Sequence, residues 1–228
     1  MKKLHLSFLL LAMIQPNAIA SELEGSVIKF RALFDTMNSR QKGLPEPYTD
    51  FYAKTPQKKD RLFSVGVGAE AAFDVFWTDN IAAEFVSGFR LLRERASTVN
   101  NIASNYNTAP EKRKRKDAYI IPSSAALQYH IAPYGAIRPY IGGGYHYTYM
   151  LERTNSYRIQ NASGPLIQAG VDFVFKDDSY VNFDVKQYML RTKVKYSTSF
   201  VTDKDGKHIN TNMKLDPVSI GVGMGFRF

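Results

Sequence analysis

The sequence predicts an all-β protein, an eight-stranded antiparallel up-and-down transmembrane β-barrel. Three observations carry that expectation. Segments with a period of two recur along the chain, the connections between them alternate long and short, and the last segment, MKLDPVSIGVGMGFRF, has one wholly apolar face. In that segment Val218, Ile220, Val222, Met224, Phe226 and Phe228 fall on one face, and Ser219, Gly221, Gly223, Gly225 and Arg227 on the other. A half-buried strand of a soluble domain carries Thr, Lys or Glu outward. Glycines there mark crowding or close backbone approach instead. An apolar face toward lipid and a small or polar face toward a crowded lumen fit a barrel wall.

The chain opens on Lys2 and Lys3, an apolar run LSFLLLAMI (6–14) and a small-residue AIA (18–20), the form of a cleaved secretory signal. The run is too short for a spanning helix, which needs about 20 residues. Residues 1–20 are therefore expected to be removed. They leave 21–228 as one outer-membrane barrel domain, placed in the bacterial outer membrane with both termini periplasmic. Loss of Lys2 and Lys3 takes the formal charge from +9 to +7. No Cys is present, so disulfides and thiolate metal ligands are excluded. A basic chain can signal nucleic acid, but an exported one rarely meets any. Outer-membrane lipid and lipopolysaccharide are the expected partners of its charge.

Alternation marks eight strands, near 26–37, 61–77, 80–95, 117–131, 138–152, 163–176, 179–197 and 212–228. Long connections are expected near 38–60, 96–116, 153–162 and 198–211, rich in Pro, Asn, Ser, Lys and Asp. The others are short: TDN (78–80), APYGAI (132–137) and KDDS (176–179), with turn-forming Asp, Asn, Pro and Gly. Long outer loops and short periplasmic turns are what an up-and-down barrel needs. An even strand number permits closure, and in hydrocarbon closure is obligatory because every backbone polar group must be paired within the protein.

Parity assigns the faces. Ile28, Phe30, Phe34, Phe63, Val65, Val67, Phe73, Val75 and Trp77 are expected outward, followed by Ile81, Phe85, Phe89, Leu127, Tyr129, Ile141, Tyr145, Tyr147 and Tyr149. Val171, Phe173, Phe175, Val181, Phe183 and Val185 complete the set. Trp77, Tyr129 and Phe228 fall at one end of the strands and Tyr147 and Tyr149 near the other, as two interfacial aromatic belts would.

TDNIAAEF (78–85), RPYIGGGYHYT (138–148), AGVDF (169–173), KLDP (214–217) and the terminal GFRF resemble the OmpW family of Gram-negative outer-membrane proteins, in order and over nearly the whole mature chain. The resemblance implies an eight-stranded barrel. It also implies an assembly signal in the last strand, Gly223, Phe226 and Phe228, read by the barrel-assembly machinery. Gly221 stands where that signal is expected to be polar. The family's association with small hydrophobic compounds, taken from outside and released sideways into the bilayer, implies a small hydrophobic ligand.

The inward parity divides by depth. Lys29, Arg31, Glu70, Asp74, Glu84, Asp172, Asp184, Lys186 and Arg227, with Arg90 higher up, form a balanced charged set. An eight-stranded interior is just wide enough for side chains to fill, and buried charges demand partners. The set is expected to form a salt-bridged plug; a charge-lined ion pore is the rival reading. Toward the outer half Leu33, Leu92, Met150, Leu166, Tyr188, Leu190 and Leu215 are expected to line a pocket for an apolar molecule. Lys186 and Tyr188 stand where the family often carries bulkier apolar groups. Pro122 and Pro165 remove ladder donors and are candidate weak points for a lateral exit.

The run EKRKRKD (111–117) reads as a solvated outer loop suited to lipopolysaccharide phosphates. It also supports an alternative function, a nonconducting structural or surface-interaction protein that binds lipopolysaccharide, host molecules or phage. The GGG at 142–144 lacks a phosphate-binding frame, and His130 and His146 have no ligand-spaced partner. No metal, cofactor or catalytic group is expected, and oligomeric state leaves no mark in the chain.

Overall fold

The structure, a computed structural model of the 228-residue chain, describes residues 25–38, 40–42, 63–94, 117–151, 157–176, 179–196 and 210–228. Twelve strand segments make eight walls. In order they are β1 (Ser26–Thr36) with β2 (Arg40–Lys42), β3 (Phe63–Phe76), β4 (Ile81–Glu94), β5 (Asp117–His130) and β6 (Ile137–Met150). Then come β7 (Tyr157–Ile159) with β8 (Ala162–Lys176), β9 (Ser179–Tyr188) with β10 (Leu190–Tyr196), and β11 (Asn210–Leu215) with β12 (Val218–Arg227). Neighbouring walls are antiparallel throughout. The last closes on the first from Val27↔Arg227 to Thr36↔Val218. Closure leaves no sheet edge in the membrane-level ring, so no row of backbone groups is stranded in hydrocarbon.

The walls sit where alternation put them, because a period of two is the only pattern that keeps one face on lipid along a whole strand. The first short turn is held locally. Trp77 N–H donates to Ile81 O at 2.9 Å, and Thr78 Oγ1 accepts from the amides of Asn80 and Ile81 at 3.3 and 3.0 Å. At the opposite end the ladders run further than expected. Arg40–Lys42 pairs with β11, Tyr157–Ile159 pairs with β10, and β11 begins at Asn210. Each of these lies within or at the edge of an expected loop. The segment 1–20, expected to be a signal, and the basic run 111–116 lie outside the described residues.

The outward face is apolar from Val218 to Phe228 on β12. Eleven residues at about 3.3 Å each, tilted by about 40°, give a band about 25 Å tall, the height of a hydrocarbon core crossed by a barrel. Trp77, Tyr129 and Phe228 are half or more exposed at the short-turn end, and Tyr147 and Tyr149 are exposed toward the other.

Phe63 corrects the parity. Expected outward, it is fully buried in the lumen. The ladder passes from Phe63↔Glu94 to Gly66↔Leu92, three residues on β3 against two on β4. That extra residue is a β-bulge, and a bulge reverses the facing of everything beyond it. Ser64 Oγ donates to Arg93 O at 3.4 Å beside it.

Candidate functional site in the lumen

Side chains fill the lumen in three layers. Nearest the short turns Val27, Phe76, Ala82 and Tyr180 form an apolar floor, with Val174 packed against it. The floor was not anticipated, since these residues read as the ends of strands rather than as a layer.

Above it lies the charged layer. Lys29 Nζ is 2.7 Å from Asp74 and 3.7 Å from Asp172. Arg31 sends Nε to Glu70 at 2.9 Å, Nη2 to Glu84 at 2.7 Å and Nη1 toward Asp184 at 3.8 Å. Lys186 reaches Glu70 at 2.9 Å, Glu84 at 3.2 Å and Asp184 at 3.6 Å. Arg90 meets Asp35 at 3.1 Å and Glu70 at 3.2 Å. Each carboxylate of Glu70 and Glu84 is thus shared between cations. In so dry a setting that sharing offsets the cost of desolvating the charges.

The layer also crosses the tube. Lys186 on β9 pairs with Glu84 on β4, and Arg90 Nη2 on β4 donates to Tyr188 Oη on β9 at 3.1 Å. These two walls stand four places apart in the ring of eight, which makes them opposite one another. A direct contact between opposite walls leaves no aqueous path between the groups that make it.

Nine of the ten charged residues expected inward are buried here. Arg227 is not among them: its guanidinium lies over the Phe76 ring, 5.4 Å from the centroid, at the floor of the barrel. Asp35 was missed although it shares the parity of Lys29 and Arg31, because it falls at the end of β1. The layer therefore holds four cations against six carboxylates. Neutral partners were missed as well. Tyr140 Oη donates to Asp184 at 2.9 Å, and Asn182 Nδ2 donates to Tyr140 Oη at 3.1 Å and to Asp172 at 2.6 Å. Inward parity would have found Asn182. Tyr140 was hidden by the expectation that tyrosines serve the belts.

The upper layer is apolar. Leu92, Leu166, Tyr188, Leu190 and Leu215 are buried together with Phe63, Met37 and Met213, and Met150 packs against them. Leu33 is buried too but lies outside this cluster, at the level of Gly221. The layer is nearly full. Among the described residues a residual cavity of about 20 Å³, bordered by Arg90, Tyr188, Leu92, Leu190, Leu215 and Met150 among others, sits where the apolar and charged layers meet. It has room for about one water.

The wall beside this layer is thinly paired at the seam between β8 and β10. β9 ends at Tyr188 and β10 begins at Leu190, and β10 pairs with β8 only at Arg191↔Ser163. Pro165 lies in that seam, its carbonyl accepting from Met189 N–H at 3.0 Å. Pro122 interrupts the other side of its own strand: the β4–β5 ladder passes from Ser87↔Ser123 to Arg90↔Ile120 with no pair at Pro122 or Ile121, while the β5–β6 ladder runs unbroken with Pro122 opposite Thr148.

The OmpW family model matches residues 49–228. The chain belongs to the OmpW family. A protein of Rickettsia conorii named as a candidate outer membrane protein is 37% identical over 209 residues, covering 91% of this chain and 83% of that one. The crystal structure of the outer membrane protein OprG from Pseudomonas aeruginosa superimposes with a TM-score of 0.62 at 16% identity, over 90% of this chain and 95% of that one, a likeness of fold. A dibenzothiophene metabolism operon protein of Pseudomonas aeruginosa, PahQ, is 24% identical over 111 residues, 47% of this chain and 50% of that one. This OmpW-family chain is accordingly an outer-membrane β-barrel, and its hydrocarbon-facing band is in contact with lipid.

Proposed function

We propose that this barrel takes small hydrophobic molecules into the apolar outer half of its lumen and releases them sideways into the bilayer. The observation that carries the reading is the apolar layer resting directly on an ion-paired layer that joins opposite walls. A molecule entering from the loop end meets Val194, Met213 and Phe63, then Leu92, Leu190 and Leu215, and then a barrier of buried charge. Crossing that barrier would mean breaking several paired charges at once, so the remaining way out is through the wall. The β8–β10 seam, with its single ladder pair, adjoins the layer. Met37, Met150 and Met213 supply flexible, polarizable thioethers that can repack around guests of different shape, which suits a layer that is filled when empty of ligand. The partial likeness to a protein of a dibenzothiophene metabolism operon points toward the same class of compound.

On this reading Lys29, Arg31, Glu70, Asp74, Glu84, Arg90, Asp172, Asp184 and Lys186 act as the plug, and the role is transport rather than catalysis. The long-loop end faces outward, both termini are periplasmic, and residues 1–20 are lost on export. Gly223, Phe226 and Phe228 serve the barrel-assembly machinery; Phe226 and Phe228 are exposed on the outward face.

The test is uptake of an apolar fluorescent compound by liposomes carrying the mature barrel, compared with Leu190→Asp and Leu215→Asp. Folding of each is checked by heat-modifiable gel mobility. Faster uptake with wild type than with either folded variant supports the reading. Uptake equal to that of protein-free liposomes in all three rejects it.

A further inference from the structure

Above the apolar band, one sector of the outer wall turns basic. On β10 the outward positions are Arg191, Lys193 and Lys195, on β11 the matching position is Lys214, and on β7 it is Arg158. Their inward neighbours Leu190, Thr192, Val194, Met213 and Ile159 are buried, so the parity is settled by the lumen. Arg191 follows Met189 directly on this face, which sets the first cation at the rim of the hydrocarbon-facing surface.

The sequence places these charges against one another. Arg191 is cross-strand from Lys214, and Lys195 is cross-strand from Arg158. Like charges directly opposite on one face of a sheet are destabilising, yet β10 carries two such pairs, one toward β11 and one, four residues further on, toward β7. One carboxylate answers them: Asp216 pairs with Arg191 at 2.8 Å. Lys193, Lys195, Lys214 and Arg158 have no ion-pair partner among the described residues. The opposite side of the barrel at this level is different, with Arg93 cross-strand from Asp117 and an exposed Tyr119.

We propose that this face binds the phosphates of a phosphorylated glycolipid of the outer leaflet, of the bisphosphoryl lipid A kind. The proposal rests on the reading that the long-loop end faces outward. The height of the patch matches a headgroup, since its cations begin where the apolar band ends. Its extent matches more than one phosphate, since Arg191 to Lys195 spans about 13 Å along the strand. Its charge exceeds what a single glycerophosphate diester would neutralise. Lysine and arginine at this spacing give phosphate oxygens charge-assisted hydrogen bonds from two adjacent strands, and two phosphates, one near each like-charge pair, would relieve both. Arg158 also borders an open depression of about 770 Å³ beside Tyr147, Tyr149 and Leu151, where the sugar and the start of an acyl chain would rest.

The experiment is titration of the folded mature barrel in zwitterionic nanodiscs with bisphosphoryl lipid A, counting bound lipid by native mass spectrometry. Wild type is compared with Lys193→Gln/Lys195→Gln/Lys214→Gln, with the corresponding triple Lys→Arg variant, and with Lys176→Gln at the short-turn end. The triple Gln variant is expected to bind at least about tenfold more weakly, while the Arg triple and Lys176→Gln match wild type. Dephosphorylated lipid A is expected to bind wild type no better than the Gln triple binds the phosphorylated form, and phosphatidylglycerol to bind wild type more weakly than bisphosphoryl lipid A. Equal binding by wild type and the Gln triple overturns the proposal. So does equal binding of the dephosphorylated lipid, or of phosphatidylglycerol, which would make the patch a general anionic-surface contact. Should the triple fail the heat-modifiability check, Lys193→Gln and Lys195→Gln singly are read against the same criteria. Uptake into liposomes free of lipid A reports separately on the lumen and is expected to be unchanged in these variants, because none of the three lysines faces inward.

Discussion

Arg31 and Glu84 meet across the lumen at 2.7 Å, both side chains fully buried, from walls two places apart in the ring. Glu84 is also shared with Lys186 from the wall opposite its own. One carboxylate therefore holds cations from two directions, and its loss leaves both short of a partner in a dry interior. Glu84→Gln is expected to destabilise the barrel by about 3–5 kcal/mol, read as a lower urea midpoint for unfolding from lipid vesicles. A loss below about 1 kcal/mol, the range of exposed ion pairs, would show that the charged layer does not hold the walls together.

Phe63 offers a test of the bulge on β3. Packed in the upper layer, Phe63→Ala removes a ring that no neighbour can replace and is expected to cost about 3–5 kcal/mol in the same unfolding measurement. Were Phe63 on lipid, as unbroken parity would have it, a single-Cys variant at this position in the Cys-free chain would react with a lipid-soluble maleimide. The buried position predicts protection while Phe34→Cys reacts.

Trp77 is the sole tryptophan and is 56% exposed on the outward face at the short-turn end. Interfacial tryptophans sit at headgroup depth. Lipids brominated near the headgroup are expected to quench its emission more than lipids brominated at the chain ends. The reverse order would move this end of the barrel into the bilayer centre.

Gly170 lies beneath the Tyr140 ring, its cross-strand partner, and a Cβ added there would overlap that ring. Tyr140 is the residue that reaches Asp184 and accepts from Asn182. Gly170→Ala is expected to displace the ring and cost about 1–3 kcal/mol, and Gly170→Ala/Tyr140→Phe to cost less than the sum of the singles. Additive costs would mean that the glycine matters for some reason other than seating Tyr140.

Much of this was legible along the chain. Parity alone separated Lys29, Arg31, Glu70, Asp74, Glu84, Asp172, Asp184 and Lys186 from the lipid-facing Phe30, Phe34, Phe73 and Phe183, because a strand between lipid and lumen must sort its side chains by alternation. Asp35 and Asn182 obeyed the same rule and were missed by looking for charge in strand centres. Phe63 could not be read, since a bulge is invisible to a strict period of two. Arg227 could not either: its parity is inward, but only the fold sets it at the floor over Phe76, away from the network.

The sequence by itself determined the barrel, its eight walls, their facing and the segregation of charge below apolar residues, because these are properties of each strand taken alone. Which cation meets which carboxylate, that Lys186 and Arg90 reach the opposite wall, and that the upper layer is filled down to about 20 Å³ were decided only by the tertiary structure. Those facts depend on the stagger of the closed ring, which sets residues distant in the chain at one height and brings opposite walls within a side chain's reach.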